Sequence, residues 1–158
     1  MNNATLDADL RDLYQDLILD HGKHPRNFRV LPSHNCEALG HNPLCGDRLM
    51  LYLTIGDDGA IADVAFQGSG CAISMASASM MTEMLKGKTT ADAEKLFRYL
   101  HAACTNATTD EAGLAEDDIE RLKALGGVRH YPMRVKCATL AWHTLQAALK
   151  NKQKVSTE

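Results

Sequence analysis

Residues Leu49-Met50-Leu51-Tyr52-Leu53-Thr54-Ile55-Gly56-Asp57-Asp58-Gly59-Ala60-Ile61-Ala62-Asp63-Val64-Ala65-Phe66 read as a β-hairpin. Leu49, Leu51, Leu53 and Ile55 alternate with Met50, Tyr52 and Thr54, the period of a strand with one face on a core. Gly56-Asp57-Asp58-Gly59 has the residues of a hairpin turn. Ala62, Val64 and Phe66 then alternate along the return strand. Residues 36–41 read as a further short strand, so the expectation is a small antiparallel sheet of about three strands.

Between the first two strands lies Asn42-Pro43-Leu44-Cys45-Gly46-Asp47. Pro43 cannot donate to a ladder, and Gly46 can take backbone angles other residues avoid, so a tight turn is expected here. Such a turn can aim the Cys45 thiol and the Asp47 carboxylate at one point. Two anionic groups that converge repel each other without a cation, which suits a metal ion. For an isolated Cys-Gly-Asp, a surface turn with a chance cysteine is the better reading.

Helical spacing surrounds the hairpin. Leu6, Leu10, Leu13, Tyr14, Leu17 and Ile18 predict a first helix from about Asp7 to Asp20, stopped by Gly22 and Pro25. His21 and His24 then read as a C-terminal cap and exposed loop. Gly68-Ser69-Gly70-Cys71 leaves the return strand and opens a helix over about Ala72 to Lys86. No Lys-Ser or Lys-Thr follows at phosphate-loop spacing, and Met80, Met81 and Met84 read as core filler. Thr90 reads as the cap of the next helix, with Ala93, Leu96, Phe97, Leu100, Ala103 and Cys104 as its apolar stripe. Cys104 is therefore a core cysteine.

After a polar loop, Leu114, Ile119, Leu122 and Leu125 mark a short helix that ends at Gly126-Gly127. Pro132 suits the first position of the last helix, whose core stripe is Val135, Ala138, Trp142, Leu145 and Leu149. Cys137 lies in its first two turns. Arg134 on the same face, neighbouring Lys136 and the helix start should all favour its thiolate. His143 lies well off that face and is not expected to be a ligand. The tail from Lys150 reads as frayed.

The chain has 158 residues, is 45% hydrophobic and carries a formal net charge of −3. That fits one globular domain spanning 1–158, and gives no reason to expect nucleic acid or an anionic membrane as partner. No signal peptide or bilayer-spanning run is evident, so the expected location is the cytoplasm. Five widely spaced cysteines in a reducing compartment suit metal binding, catalysis or burial better than disulfides. Cys45, Cys71 and Cys137, with Asp47, make a possible set of three sulfurs and one oxygen.

Asn42-Pro43-Leu44-Cys45-Gly46-Asp47-Arg48, Gly68-Ser69-Gly70-Cys71-Ala72-Ile73-Ser74-Met75-Ala76-Ser77-Ala78-Ser79 and Arg134-Val135-Lys136-Cys137-Ala138-Thr139-Leu140 resemble the SufU branch of the IscU/NifU-like iron–sulfur assembly family. Leu13-Tyr14, Asp20-His21 and Pro25-Arg26-Asn27 are similar to its N-terminal signature. The resemblance runs from about Leu10 to Leu149 and implies an α+β fold, with helices on one side of a small antiparallel sheet. Lys136 stands where IscU-type scaffolds carry histidine. Their second cysteine falls at the position of Ser69, and their span to the third is shorter. These differences favour the SufU branch.

The resemblance implies Zn2+ held by Cys45, Asp47, Cys71 and Cys137. It also implies acceptance of persulfide sulfur from a pyridoxal-phosphate cysteine desulfurase, ahead of a downstream SUF assembly scaffold. Cys45 is the expected acceptor, because a turn moves more freely than a helix. A scaffold or carrier of a [2Fe–2S] cluster on the same residues is the alternative, and a purely structural zinc module a third reading.

Overall fold

The computed structural model describes residues 14–150 and 154–156. Strands β1 (Cys36–Asn42), β2 (Asp47–Ile55) and β3 (Ile61–Ser69) form an antiparallel sheet. The hairpin alternation holds: Leu49, Leu51 and Leu53 are fully buried while Met50 and Tyr52 are half-exposed. Across β1 the same inward row continues as Ala38, Gly40 and Asn42, paired in register with Leu51, Leu49 and Asp47. The core row of β1 and β2 therefore ends in two polar side chains, an amide and a carboxylate.

The sheet is larger than expected at its edge. Lys154–Ser156 form a short strand β4, parallel to β1 opposite Leu39, Gly40 and His41, giving the order β3-β2-β1-β4. These residues are thus paired rather than frayed. Three residues without an apolar pattern leave no period to read.

Helices α2 (Ala72–Leu85), α3 (Thr90–Cys104), α4 (Glu116–Gly126) and α5 (Pro132–Leu149) follow in the expected order, with a 3-10 turn at Gly127–His130. The cap of α3 is Thr89, one residue before the expected Thr90, and its hydroxyl accepts from the Asp92 N–H at 3.1 Å. Pro132 opens α5 as its composition requires. Trp142, Phe66, Met80, Met81 and Leu96 are among the largest fully buried side chains. Buried Ser77 ties α2 to α5: its hydroxyl donates to Ala138 O at 2.6 Å and accepts from Trp142 Nε1 at 3.0 Å. That link sets the spacing between the helices that carry Cys71 and Cys137.

The first helix, α1, is described over residues 14–23; the part expected before residue 14 lies outside the described residues. It runs through Gly22 to residue 23, further than expected, and the His24 N–H closes the last turn on Asp20 O. His21 is not exposed. It is 3% accessible, with Nδ1 2.7 Å from Ser79 Oγ and Nε2 3.6 Å from Glu83 Oε1. His24 is exposed as expected. The chain then runs beside β3, where Phe66 N donates to Asn27 O and Arg29 N donates to Phe66 O. Tertiary contact with α2 thus buries a histidine whose sequence neighbours suggest a loop.

Candidate metal centre

Asp47 closes the inward row of β2 and is fully buried. Its Oδ1 accepts the Cys71 backbone N–H at 2.9 Å, and its Oδ2 lies 3.8 Å from Cys71 Sγ. Gly70 makes this approach possible: a Cβ there would stand 2.5 Å from Asp47 Oδ1 and 3.0 Å from its Cγ. Gly46, between Cys45 and Asp47, has a φ of +72°, which favours glycine and turns the chain sharply. Cys45 is thereby half-buried in a turn flanked by exposed Leu44.

Cys137 reaches the same place from α5. Its Sγ is 3.5 Å from Cys45 Sγ and 3.6 Å from Met133 O, one helical turn back. Ligand atoms of Cys45, Asp47 and Cys137 all lie within 4.8 Å of one another. Cys71 stands just outside that trio, next to Asp47. It is the N-cap of α2, and its sulfur accepts from the Ser74 N–H at 3.5 Å. The structure therefore brings Cys45, Asp47 and Cys137 together as a mutually close trio, with Cys71 against the carboxylate and outside the trio.

The electrostatics differ from expectation at Cys137. Its thiol pKa is pushed up, first by burial and then by hydrogen bonding with Asp47, Cys45 and Cys71. Being fully buried outweighs the nearby Arg134 and the helix start. The protein alone therefore favours the neutral thiol there, and a bound cation is what would reverse that preference. Arg134 is exposed, and its pKa is raised, first through its electrostatic interaction with the Cys71 position and then by a hydrogen bond with Cys137.

Asn42 is a site residue that motif reading passed over. It is fully buried, with Nδ2 4.0 Å from Cys137 Sγ and with Oδ1 lacking a hydrogen-bond partner. The hairpin register could have found it, since Asn42 pairs with Asp47 across the turn. Cys36 and Cys104 stay out of the cluster as expected. Cys104 is buried, and burial pushes its thiol up to about 12.

The donor set fits a metal ion. Three thiols and a carboxylate on four separate backbone positions match the sulfur and oxygen ligands of zinc, and sulfur ligands also suit iron–sulfur clusters. A family model described as the NifU-like N terminal domain matches residues 13–99.

The chain belongs to the NifU-like N-terminal domain family.

This NifU-like chain is 37% identical over 149 residues to the zinc-dependent sulfurtransferase SufU of Bacillus subtilis, covering 94% of this chain and 97% of that protein. It is 38% identical over 144 residues to the iron–sulfur cluster assembly scaffold protein IscU of Streptococcus pyogenes, covering 89% and 85% respectively. Among solved structures, SufU from Fervidobacterium islandicum superposes with a TM-score of 0.77 at 34% identity, over 85% of this chain and 94% of that one. A NifU-like N-terminal structure from Brucella abortus has a TM-score of 0.76 at 23% identity, over 88% and 93%, which bears on the α+β fold alone.

Proposed function

We propose that this protein is a zinc-dependent sulfur acceptor of iron–sulfur cluster assembly, taking persulfide sulfur from a pyridoxal-phosphate cysteine desulfurase. The observation that carries this reading is the meeting of Cys45, Asp47 and Cys137 within 4.8 Å, with Cys71 beside the carboxylate. Cys45, Asp47, Cys71 and Cys137 would hold the zinc. Bound zinc supplies charge that keeps buried thiols ionised, with no redox change of its own.

The chain's residues then divide the work. Cys137 is fully buried and Cys71 caps a helix, so neither can reach outward without disturbing a helix. Cys45 sits in a turn beside an exposed leucine, so its sulfur moves at least cost to the fold. The Cys45 thiolate attacks the outer sulfur of the donor's persulfide anion. The donor's S–S bond breaks, its cysteine leaves as a thiolate, and Cys45 carries the new persulfide anion. Charge and sulfur balance without any external oxidant or reductant. Arg134, facing the thiols, favours the approach of an anionic persulfide. Downstream, a SUF assembly scaffold receives the sulfur. Free thiols suit a reducing compartment, and we assign the chain to the cytoplasm as a single domain. No helix among the described residues is long and apolar enough to cross a membrane.

The IscU relative, at 38% identity, supports a second reading in which the same residues carry a [2Fe–2S] cluster. Metal analysis and the visible spectrum of freshly purified protein decide between them. Colourless protein with about one zinc per chain is expected. Brown protein with stoichiometric iron and sulfide would instead make the chain a scaffold.

A further inference from the structure

Asn42 stands on the inward row of β1, opposite Asp47 in the hairpin register, and is fully buried. Its place relative to α5 is set two residues earlier on the same face. A Cβ at Gly40 would collide with Thr144 Oγ1 and would lie 3.3 Å from Leu140 Cδ1. Strand and helix therefore meet closely there. The next inward side chain is Asn42, and its Nδ2 lies 4.0 Å from Cys137 Sγ.

That distance is the outer reach of an N–H···S hydrogen bond. A thiolate draws such a donor closer than a thiol does, because the bond is then charge-assisted. A thiolate accepts and cannot donate, so the amide presents its nitrogen to it. The other amide atom, Oδ1, has no hydrogen-bond partner among the described residues. A buried acceptor without a donor destabilises the fold. An apolar side chain of the same shape would fill the space without that loss, so packing alone does not account for an amide here.

The hydrogen bonds around the cluster are unequal. Asp47 Oδ1 accepts the Cys71 N–H at 2.9 Å, and Cys71 Sγ accepts the Ser74 N–H at 3.5 Å. Cys137 has Asn42 from the interior, and exposed Arg134 as a second donor. Among the described residues no N–H donates to Cys45 Sγ, whose contact is the Cys137 sulfur at 3.5 Å. An N–H donor takes up negative charge from a metal-bound sulfur, which steadies it as a ligand and blunts it as a nucleophile.

Resting on the zinc reading of this site, we infer that Asn42 is a positioning residue whose amide holds the Cys137 thiolate on the metal as a fixed ligand. Two thiols 3.5 Å apart are thereby made different. Cys137 is fastened by an N–H from β1, whereas Cys45, with none, keeps the freer and more nucleophilic sulfur.

Asn42→Leu and Asn42→Ala test this with the purified chain and metal alone. Leucine keeps the branched shape and removes both polar atoms; alanine removes the donor without adding bulk. The readouts are zinc affinity by competition with a chromophoric chelator, the thiolate-to-cobalt charge-transfer band of Co2+-loaded protein, and the melting temperature of metal-free protein. Zinc affinity should fall about tenfold or more in both variants. The cobalt band should move to lower energy, since a sulfur without its N–H donor gives up charge more easily. Metal-free Asn42→Leu should melt no lower than metal-free wild type, because the orphaned acceptor is gone. Zinc affinity within about threefold of wild type in both variants would overturn the inference. So would an unmoved cobalt band, or a lowered metal-free melting temperature with zinc affinity intact, since either makes Asn42 a packing residue only. A wild-type chain that binds neither zinc nor cobalt removes the metal reading and this inference together, whereas wild-type binding matched by both variants removes this inference alone. None of the readouts uses the desulfurase, so they stand apart from whether Cys45 accepts sulfur.

Discussion

Gly70→Ala should damage the metal centre without touching a ligand. The glycine does not need its conformational freedom, since its φ is not positive; it needs the space. An added Cβ would stand 2.5 Å from Asp47 Oδ1, closer than real Cβ contacts come, and Asp47 is fully buried with nowhere open to move. Either the carboxylate or the backbone at Cys71 must shift, and the 2.9 Å bond between them breaks. A hydrogen bond to a charged group contributes about 1.5–3 kcal/mol. A loss of about 2 kcal/mol lowers the melting temperature by roughly 4–8 °C in a domain of this size. If the same loss falls on metal binding, zinc affinity drops ~30-fold. Competition with a chromophoric chelator gives the affinity, and calorimetry of metal-free protein gives the stability. Gly127→Ala is the control, because a Cβ there meets nothing within 4 Å. Gly70→Ala with zinc affinity within about threefold of wild type, and an unchanged melting curve, would refute the coupling of Asp47 to Cys71 through this close approach.

Asp47→Ala removes the oxygen donor but keeps three thiols, so it should weaken zinc rather than abolish it. Cys71→Ser should weaken it more, because a hydroxyl is a poor zinc ligand; affinities in the reverse order would show the carboxylate to be misassigned. Burial and then Arg26 lower the folded-state pKa of His21 below the usual value, and burial and then His101 do the same for His143. The unfolded chain therefore binds protons first, and the stability these groups contribute is present above about pH 6.5 and lost as pH falls through their folded values. Melting temperature should decline below about pH 6.5, and His21→Gln should flatten that decline; an unchanged slope would place the acid sensitivity elsewhere.

The parts of the fold that the sequence makes legible are those with a strict period. Leu49, Leu51 and Leu53 alternate because one face of β2 meets the helices, and α3 through α5 follow their apolar stripes. What escapes is set by long-range packing. His21 looks like a loop residue until α2 brings Ser79 and Glu83 against it. Lys154–Ser156 pair with β1 through backbone bonds that leave no side-chain signal. At the site, the residue types of Cys45, Asp47, Cys71 and Cys137 suggest metal chemistry, but their convergence from a turn, the start of a strand and two helices is visible only in three dimensions. The sequence also misleads about the Cys137 thiol: neighbouring cations are visible in the chain, whereas burial, which outweighs them, is not.

Peptide mapping by mass spectrometry after turnover with desulfurase and cysteine tests the role of this site most directly. In wild-type protein the added sulfur should sit on Cys45. Cys36→Ser and Cys104→Ser should carry it normally, while Cys45→Ser should carry none and keep some zinc through Asp47, Cys71 and Cys137. Sulfur mapped to Cys71 or Cys137, with Cys45→Ser still accepting it, would contradict the assignment of Cys45 as the acceptor.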